Sequence, residues 1–270
     1  MIFDLVPFFN ELELLKMRMS ELDAVVGQFI IVESNLTHKG DPKPLYFADN
    51  RSQFDAWKDK TRHIVIDDMP RQKSFDVEPN NMYDDPAWKR EWFQMDRALD
   101  VINVGLTESV IYTDVDEIPS ADAIREFTIK DECVTLELPE HQFFINWRVP
   151  TTKIDSCMII GRALKGRRRA QIRYQQNGFK RNRIIHGAGW HFSSMGGPEM
   201  VKQKLNSFCH WNRKCVLEYN NLPEPKASPI PQSWEGSPIS KVAIDGSFPK
   251  YVRDNLDSLT EKGFVHLPLI

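Results

Sequence analysis

The chain has 270 residues, of which 41% are hydrophobic, and a net charge of −3. That suits one large globular domain and removes any bulk-charge argument for nucleic acid as a partner. No stretch nears the roughly 18 consecutive apolar residues of a membrane span, and Met1-Ile2-Phe3-Asp4 has neither the basic nor the apolar region of a signal peptide. Four irregularly spaced cysteines, Cys133, Cys157, Cys209 and Cys215, read as reduced thiols of a cytoplasmic protein, and Cys209-His210 with Cys215 matches no usual zinc spacing.

In chain order, Ile2–Phe9 reads as a short strand or entry loop. Asn10 can cap a helix over Glu11–Glu21, with Leu12, Leu15, Met19 and Leu22 on one face. Phe29–Val32 is a buried strand that ends in Glu33-Ser34-Asn35. Asn35-Leu36-Thr37 matches a glycosylation sequon, which a cytoplasmic chain leaves unmodified. Phe54–Lys60 suits a short helix, and His63–Ile66 a second strand closed by Asp67-Asp68. The spacing predicts that these two strands pair in parallel. Arg71–Pro86 reads as loop, and Trp88–Val104 as the longest helix, with Trp88, Trp92, Met95, Leu99 and Ile102 along one face. Arg90, Gln94 and Arg97 form a second row that could reach a ligand, although a solvated face is the commoner role of such a row.

Val110-Ile111-Tyr112 then forms a strand, followed at once by Asp114, Asp116, Glu117 and Pro119. Carboxylates at a strand's carboxyl end stand where open α/β sheets bind ligands. They repel one another, so a hard divalent ion bridging a diphosphate is a natural companion. An acidic cap on a helix starting near Pro119 would explain the triplet equally well. Helix is expected at Ala121–Phe127, strands at Cys133–Leu138 and Gln142–Val149, and helix at Pro198–Cys209. Leu222–Pro238 reads as an extended loop, Ile244–Ser247 as a turn, and Lys250–Leu259 as a final helix.

Between Asp155 and Glu199 there is no acidic residue, while Arg162, Lys165, Arg167, Arg168, Arg169, Arg173, Lys180, Arg181 and Arg183 fall inside that span. Such a run suggests an interaction surface for a diphosphate, a phospholipid face or nucleic acid. In His186-Gly187-Ala188-Gly189-Trp190-His191, the glycines suggest backbone lying close to a ligand.

Several segments together resemble glycosyltransferase family 17, the family of the bisecting β-1,4-mannosyl-glycoprotein N-acetylglucosaminyltransferases. They are the stretch from Asp4 to Phe47, the REWFQMDRAL helix, YTDVDEIP, the arginine triplet, HGAGWHFSS and DGSFPKYV, in the expected order. The resemblance implies an α/β, GT-A-like catalytic domain over 1–270: a mostly parallel sheet flanked by helices, with a smaller acceptor-side sheet. Residues 1–119 would form the nucleotide-binding half and 120–270 the acceptor-side half. It also implies a UDP-sugar donor, most simply UDP-N-acetylglucosamine, and inverting, β-linked transfer to a glycan or glycolipid. Two departures qualify it. The animal members carry a membrane anchor and stem, whereas this chain opens at the catalytic core, which suits a bacterial or viral enzyme in the cytoplasm. The acidic motif here is Asp-Val-Asp-Glu-Ile-Pro, where the animal enzymes have Asp-Asp-Ala-Asp-Glu-Ile-Pro, so Asp116 and Glu117 are the retained positions.

On this reading Mn2+ or Mg2+ sits on Asp114, Asp116 and, by the family's Gly-Trp-His element, His191. Glu33, Ser34, Asn35, Asp67, Arg90, Gln94 and Asp114 are the expected donor contacts. Residues 162–183 supply phosphate clamps and a peripheral membrane contact. The base for inversion is sought among Glu117, Glu140, Asp155 and Asp245, with Asp245 favoured and Glu117 able to act by orienting its neighbours. Trp147, Trp190 or Trp234 could stack on the acceptor. The rival expectations are a transferase or hydrolase for another nucleotide sugar, and a non-enzymatic anion-binding module, whose binding would be steeply salt-dependent.

Overall fold

The computed structural model describes residues 1–76, 81–213, 233 and 236–267. It is a mixed α/β protein built on two sheets. The larger has seven strands in the order β10-β6-β9-β4-β1-β2-β3, where β1 is Ile2–Phe8, β2 Gln28–Ser34, β3 Thr61–Ile66, β4 Ser109–Tyr112, β6 Cys133–Leu136, β9 Cys157–Ile160 and β10 Arg183–Ile185. β1 pairs in parallel with β2 and β4, and β2 in parallel with β3. Only β9 runs antiparallel to its neighbours, β4 and β6. The second sheet has the order β12-β8-β7-β11-β5, with β5 Glu117–Pro119, β7 Leu138–Gln142, β8 Trp147–Lys153, β11 Gly189–Ser193 and β12 Ser240–Lys241. The larger sheet draws strands from both sides of residue 119.

Strands buried on both faces read as unbroken apolar runs, and β1, β2 and β4 are such strands. Leu5, Ile30, Val32, Val110 and Tyr112 face one core, which includes Met95 and Ala98 of helix α3 (Pro86–Val101). Val6, Ile31 and Ile111 face the other, with Leu15 and Met19 of α1 (Leu12–Leu22). A third cluster seats Ile118, Ile145 and Phe192 against Val252 and Leu259 of the helices Lys250–Asp254 and Leu256–Glu261.

Several elements differ from the sequence reading. Asn10 does not cap α1; its side chain donates to Gln203 Oε1 at 2.8 Å. The expected Phe54–Lys60 helix belongs to a longer 3-10 segment, Arg51–Lys60. α3 starts at Pro86, with the Asp85 side chain accepting from the Ala87 amide at 2.8 Å. The helix after the acidic triplet, α4 (Ala121–Arg125), is capped by Ser120, not by an aspartate. The final helix is two short ones. Much of the expected 222–238 loop, together with Cys215 and Trp234, lies outside the described residues.

Candidate active site

The acidic turn follows β4 and leads straight into β5. It is held from beneath by Arg18, which is fully buried on α1. Arg18 pairs with Asp4 through two nitrogens, at 2.5 and 2.8 Å, and donates to Thr113 Oγ1 at 2.7 Å. It also donates to the carbonyls of Asp114 at 3.0 Å and Glu117 at 2.6 Å. Five donors in one rigid fork suit this task.

Two further arginines, from α6 (Arg169–Tyr174), neutralise the carboxylates. Arg169 donates to Asp114 Oδ1 at 2.9 Å, and Arg173 to Asp114 Oδ2 at 2.8 Å. Arg173 also grips both oxygens of Glu117, at 2.5 and 2.9 Å. Glu117 in addition accepts from Ser156 Oγ at 2.8 Å and from the Asp114 amide at 2.9 Å. Burial pushes both carboxyls up, but the guanidinium charges outweigh it, holding Asp114 below and Glu117 well below the ordinary range. Asp116 is engaged differently. Lys204 Nζ, at the end of α7 (Gly197–Leu205), lies 2.6 Å from its Oδ2. His191 Nε2, on β11, faces the same oxygen at 3.9 Å. Burial opposes the charge on Lys204, but Asp116 prevails and raises its pKa.

These groups line a cavity of about 250 Å³. It opens at the carboxyl ends of β1, β2 and β4, where α/β sheets bind ligands. Its walls include Phe8 at the end of β1 and Phe9 after it, Ser34 at the end of β2 and Leu36 beyond it, and Trp88, Glu91 and Gln94 from α3. Tyr174, Lys43, Lys153 and the segment from Ser207 to His210 complete them. Burial lowers the pKa of His38 in this wall, and that of His210 to about 3.

The structure thus brings Asp114, Asp116, Glu117, His191, Ser34 and Gln94 to one cavity and leaves other expected residues outside its lining. Glu33 is fully buried, accepting from the Phe47 amide at 3.0 Å and lying 3.1 Å from His63 Nε2. Side chains alternate along a strand, so Ser34 faces the cavity and Glu33 does not; beyond the strand's end Leu36 lines the cavity and Asn35 does not. Asp67 is exposed beyond β3. Arg90 is buried and donates to the carbonyls of His38, Lys39, Pro70 and Gln72 and to Ser74 Oγ. It is a strut between two loops. Asp245 is exposed in its own turn, where Oδ1 accepts from the Ser247 amide and hydroxyl at 2.9 and 2.6 Å. Trp190 Nε1 donates to Ser247 O at 3.1 Å, which ties that turn to β11. Glu140 pairs in register with His191 and accepts from Gln142 and Thr151, while Asp155 is bonded to Lys153 at 3.1 Å. Trp147 packs against Phe144 and His266, away from the cavity.

The glycine before the Trp-His pair serves the fold. A Cβ on Gly189 would lie 2.2 Å from Ile118 O and 2.6 Å from Pro119 Cα, so β11 approaches β5 more closely than a side chain permits. Arg18, Glu91 and Lys204 are site residues that the sequence reading does not name, and Arg169 and Arg173, expected as phosphate clamps, instead hold the carboxylates of the acidic turn. The available signal was a charge inside an apolar pattern: Asp4 within a strand and Arg18 within the Leu15–Met19–Leu22 face.

Among the described residues no group of three or more His, Cys, Asp or Glu side chains is arranged for a metal. A carboxylate oxygen and an imidazole nitrogen 3.9 Å apart nevertheless suit two ligands of one divalent ion, at about 2.0–2.2 Å each. Such ions in phosphate-transfer sites take one or two protein ligands and complete their shell with water and substrate oxygens. Asp116 and His191 fit that role. Asp114, as placed, serves the two arginines.

A cleft lined by balanced acids and bases at the strand ends of a mixed sheet is the layout of an α/β enzyme. The sequence profile of Glycosyltransferase family 17 matches residues 1–225, and the chain belongs to that family. It is 27% identical over 227 residues to the beta-1,4-mannosyl-glycoprotein 4-beta-N-acetylglucosaminyltransferases of Rattus norvegicus and Homo sapiens, a match covering 73% of this chain. The chain spans about two fifths of those relatives, 41% of their length. Relatives from rat and human lend no support to the expected bacterial or viral origin. No helix among the described residues is long and apolar enough to cross a membrane.

Proposed function

We propose that the chain is a GT-A-type transferase that moves a sugar, N-acetylglucosamine in the simplest reading, from a UDP-linked donor to a glycan acceptor with a β linkage. The observation that carries this is the pair Asp116–His191 facing one cavity beside Lys204. Breaking the sugar–phosphate bond leaves negative charge on the diphosphate, and cations fixed at that point stabilise it. A divalent ion on Asp116 and His191 would supply Lewis-acid neutralisation when bound. Lys204 and Lys153 add cationic charge from the chain itself. Phe8, Phe9, Ser34 and Leu36 form the wall available to the nucleoside.

Glu117 acts here by positioning. With both oxygens on Arg173 and a depressed pKa it is a weak base, but it fixes the Asp114 amide and the arginine that holds Asp114. The non-enzymatic reading assigns the basic run to an external anion, whereas its two residues nearest the cavity, Arg169 and Arg173, are engaged by Asp114 and Glu117.

Asp116→Asn is the test. Transfer from UDP-N-acetylglucosamine in Mn2+ is expected to fall by about a thousandfold, the scale of losing several kcal/mol of charge stabilisation. Calorimetric Mn2+ binding should disappear while the melting curve stays cooperative. Undiminished transfer would remove Asp116 from the chemistry.

A further inference from the structure

α3 turns three residues toward the cavity, Trp88, Glu91 and Gln94. Gln94 already has partners: its amide donates to Val32 O at 2.7 Å, and its oxygen lies 2.9 Å from His38 Nε2. Glu91 is different. It is only 8% exposed, and one carboxylate oxygen pairs with Arg169 Nη2. The other, Oε2, is buried without a hydrogen-bond partner. A buried carboxylate oxygen in a cavity wall favours a ligand that brings a donor.

The position of that oxygen narrows the ligand. Arg169 Nη2 also bonds Asp114 Oδ1 at 2.9 Å, so Glu91 and Asp114 share one guanidinium nitrogen. Glu91 therefore stands next to the turn that would face the diphosphate. Trp88 lines the same end of the helix face, but it is buried, with His210 edge-to-face against its ring and Tyr83, Trp92 and Tyr174 around it. A pyranose presents a ring of hydroxyl donors, which matches an unpaired carboxylate oxygen.

We infer that Glu91 Oε2 accepts a hydrogen bond from a hydroxyl of the donor's sugar ring. This makes Glu91 a sugar-reading residue, distinct from the groups that hold the nucleotide, and it rests on the nucleotide-sugar reading above. Glu91→Gln tests it sharply. Arg169 can only donate, so the glutamine oxygen turns to Arg169 and its amide faces the cavity. An acceptor there becomes a donor.

The experiment is calorimetric titration of the wild-type chain and E91Q with UDP and with UDP-N-acetylglucosamine, both in Mn2+. E91Q should bind UDP within about twofold of wild type and UDP-N-acetylglucosamine about tenfold more weakly, the scale of one charge-assisted hydrogen bond. Unchanged affinity for UDP-N-acetylglucosamine overturns the inference. Equal weakening for both ligands also overturns it, because Glu91 then only holds Arg169 and Asp114. A change confined to the acceptor KM overturns it too, by placing Glu91 at the acceptor. If the wild type binds neither ligand, the nucleotide-sugar reading fails and the inference fails with it. Should E91Q not fold, wild-type titration with UDP-N-acetylglucosamine analogues that each lack one free ring hydroxyl reads the same contact. One analogue should bind about tenfold more weakly than the parent, and equal affinity for the parent and every analogue overturns the assignment.

Discussion

Arg173 is the residue on which the acidic turn most depends. It is buried and holds Asp114 and Glu117 at once. Removing one partner of a buried pair leaves the other charge uncompensated. Arg173→Met is therefore expected to cost about 3–5 kcal/mol in chemical denaturation. The sign of the pH dependence follows from Glu117. Its native pKa is depressed, so its contribution is complete above the unfolded value of about 4.3 and is lost as pH falls through the native one. Acid titration by circular dichroism should show stability falling below about pH 4 in the wild type, with a shallower slope in Glu117→Gln. Lys204 gives a third prediction. Its ammonium occupies Asp116 Oδ2 at 2.6 Å, so Lys204→Met should tighten nucleotide-free Mn2+ binding by about tenfold, read by electron paramagnetic resonance. Weaker binding would show that Lys204 supports the ion site and does not compete for it.

At the scale of elements, α3 and β11 decide the geometry. The apolar period of α3 is plain in the sequence, because Met95 and Ala98 pack against the sheet. Which polar row meets the cavity is not, since that depends on where the sheet edge and α6 lie. Arg90 and Glu91 are adjacent, yet one clamps loops and the other lines the site. In β11 the tight approach of Gly189 to β5 sets His191 opposite Glu117 in register. Gly189→Ala would force the strands apart, with an expected loss of about 1–3 kcal/mol, the usual range for overpacking. Differential scanning calorimetry would read that loss, and Mn2+ affinity should fall with it as His191 shifts from Asp116. Normal Mn2+ affinity in a destabilised Gly189→Ala protein would separate His191 from the ion.

Across the whole molecule, the basic run between residues 162 and 183 divides: Arg169 and Arg173 are buried against the acidic turn, while Arg162, Lys165, Arg168 and Lys180 are exposed. Arg168 pairs with Asp100, Arg183 with Asp131, and Arg167 lies 4.4 Å from the Phe179 ring centre. Arg181 donates to the carbonyls of Ile154, Asp155, Ser156, Ile172 and Arg173. The cavity draws walls from both sheets and from helices distant in sequence, so a ligand there should brace the whole fold. UDP with Mn2+ at 100 times its Kd is expected to add about 2.7 kcal/mol, a rise of several degrees in Tm. Asp116→Asn should lose most of that rise.

By itself, the sequence determined the strand cores, the long helix and the acidic turn at a strand's end, because these follow from local runs of apolar and turn-forming residues. It also carried the family likeness, spread over short segments kept in order. Only the tertiary structure decided which charges meet. Arg18, Arg169, Arg173 and Lys204 reach Asp114, Asp116 and Glu117 from 55 to 99 residues away. The reason is that an ion pair depends on distance in space and side-chain direction, neither of which is encoded in a residue's immediate neighbours.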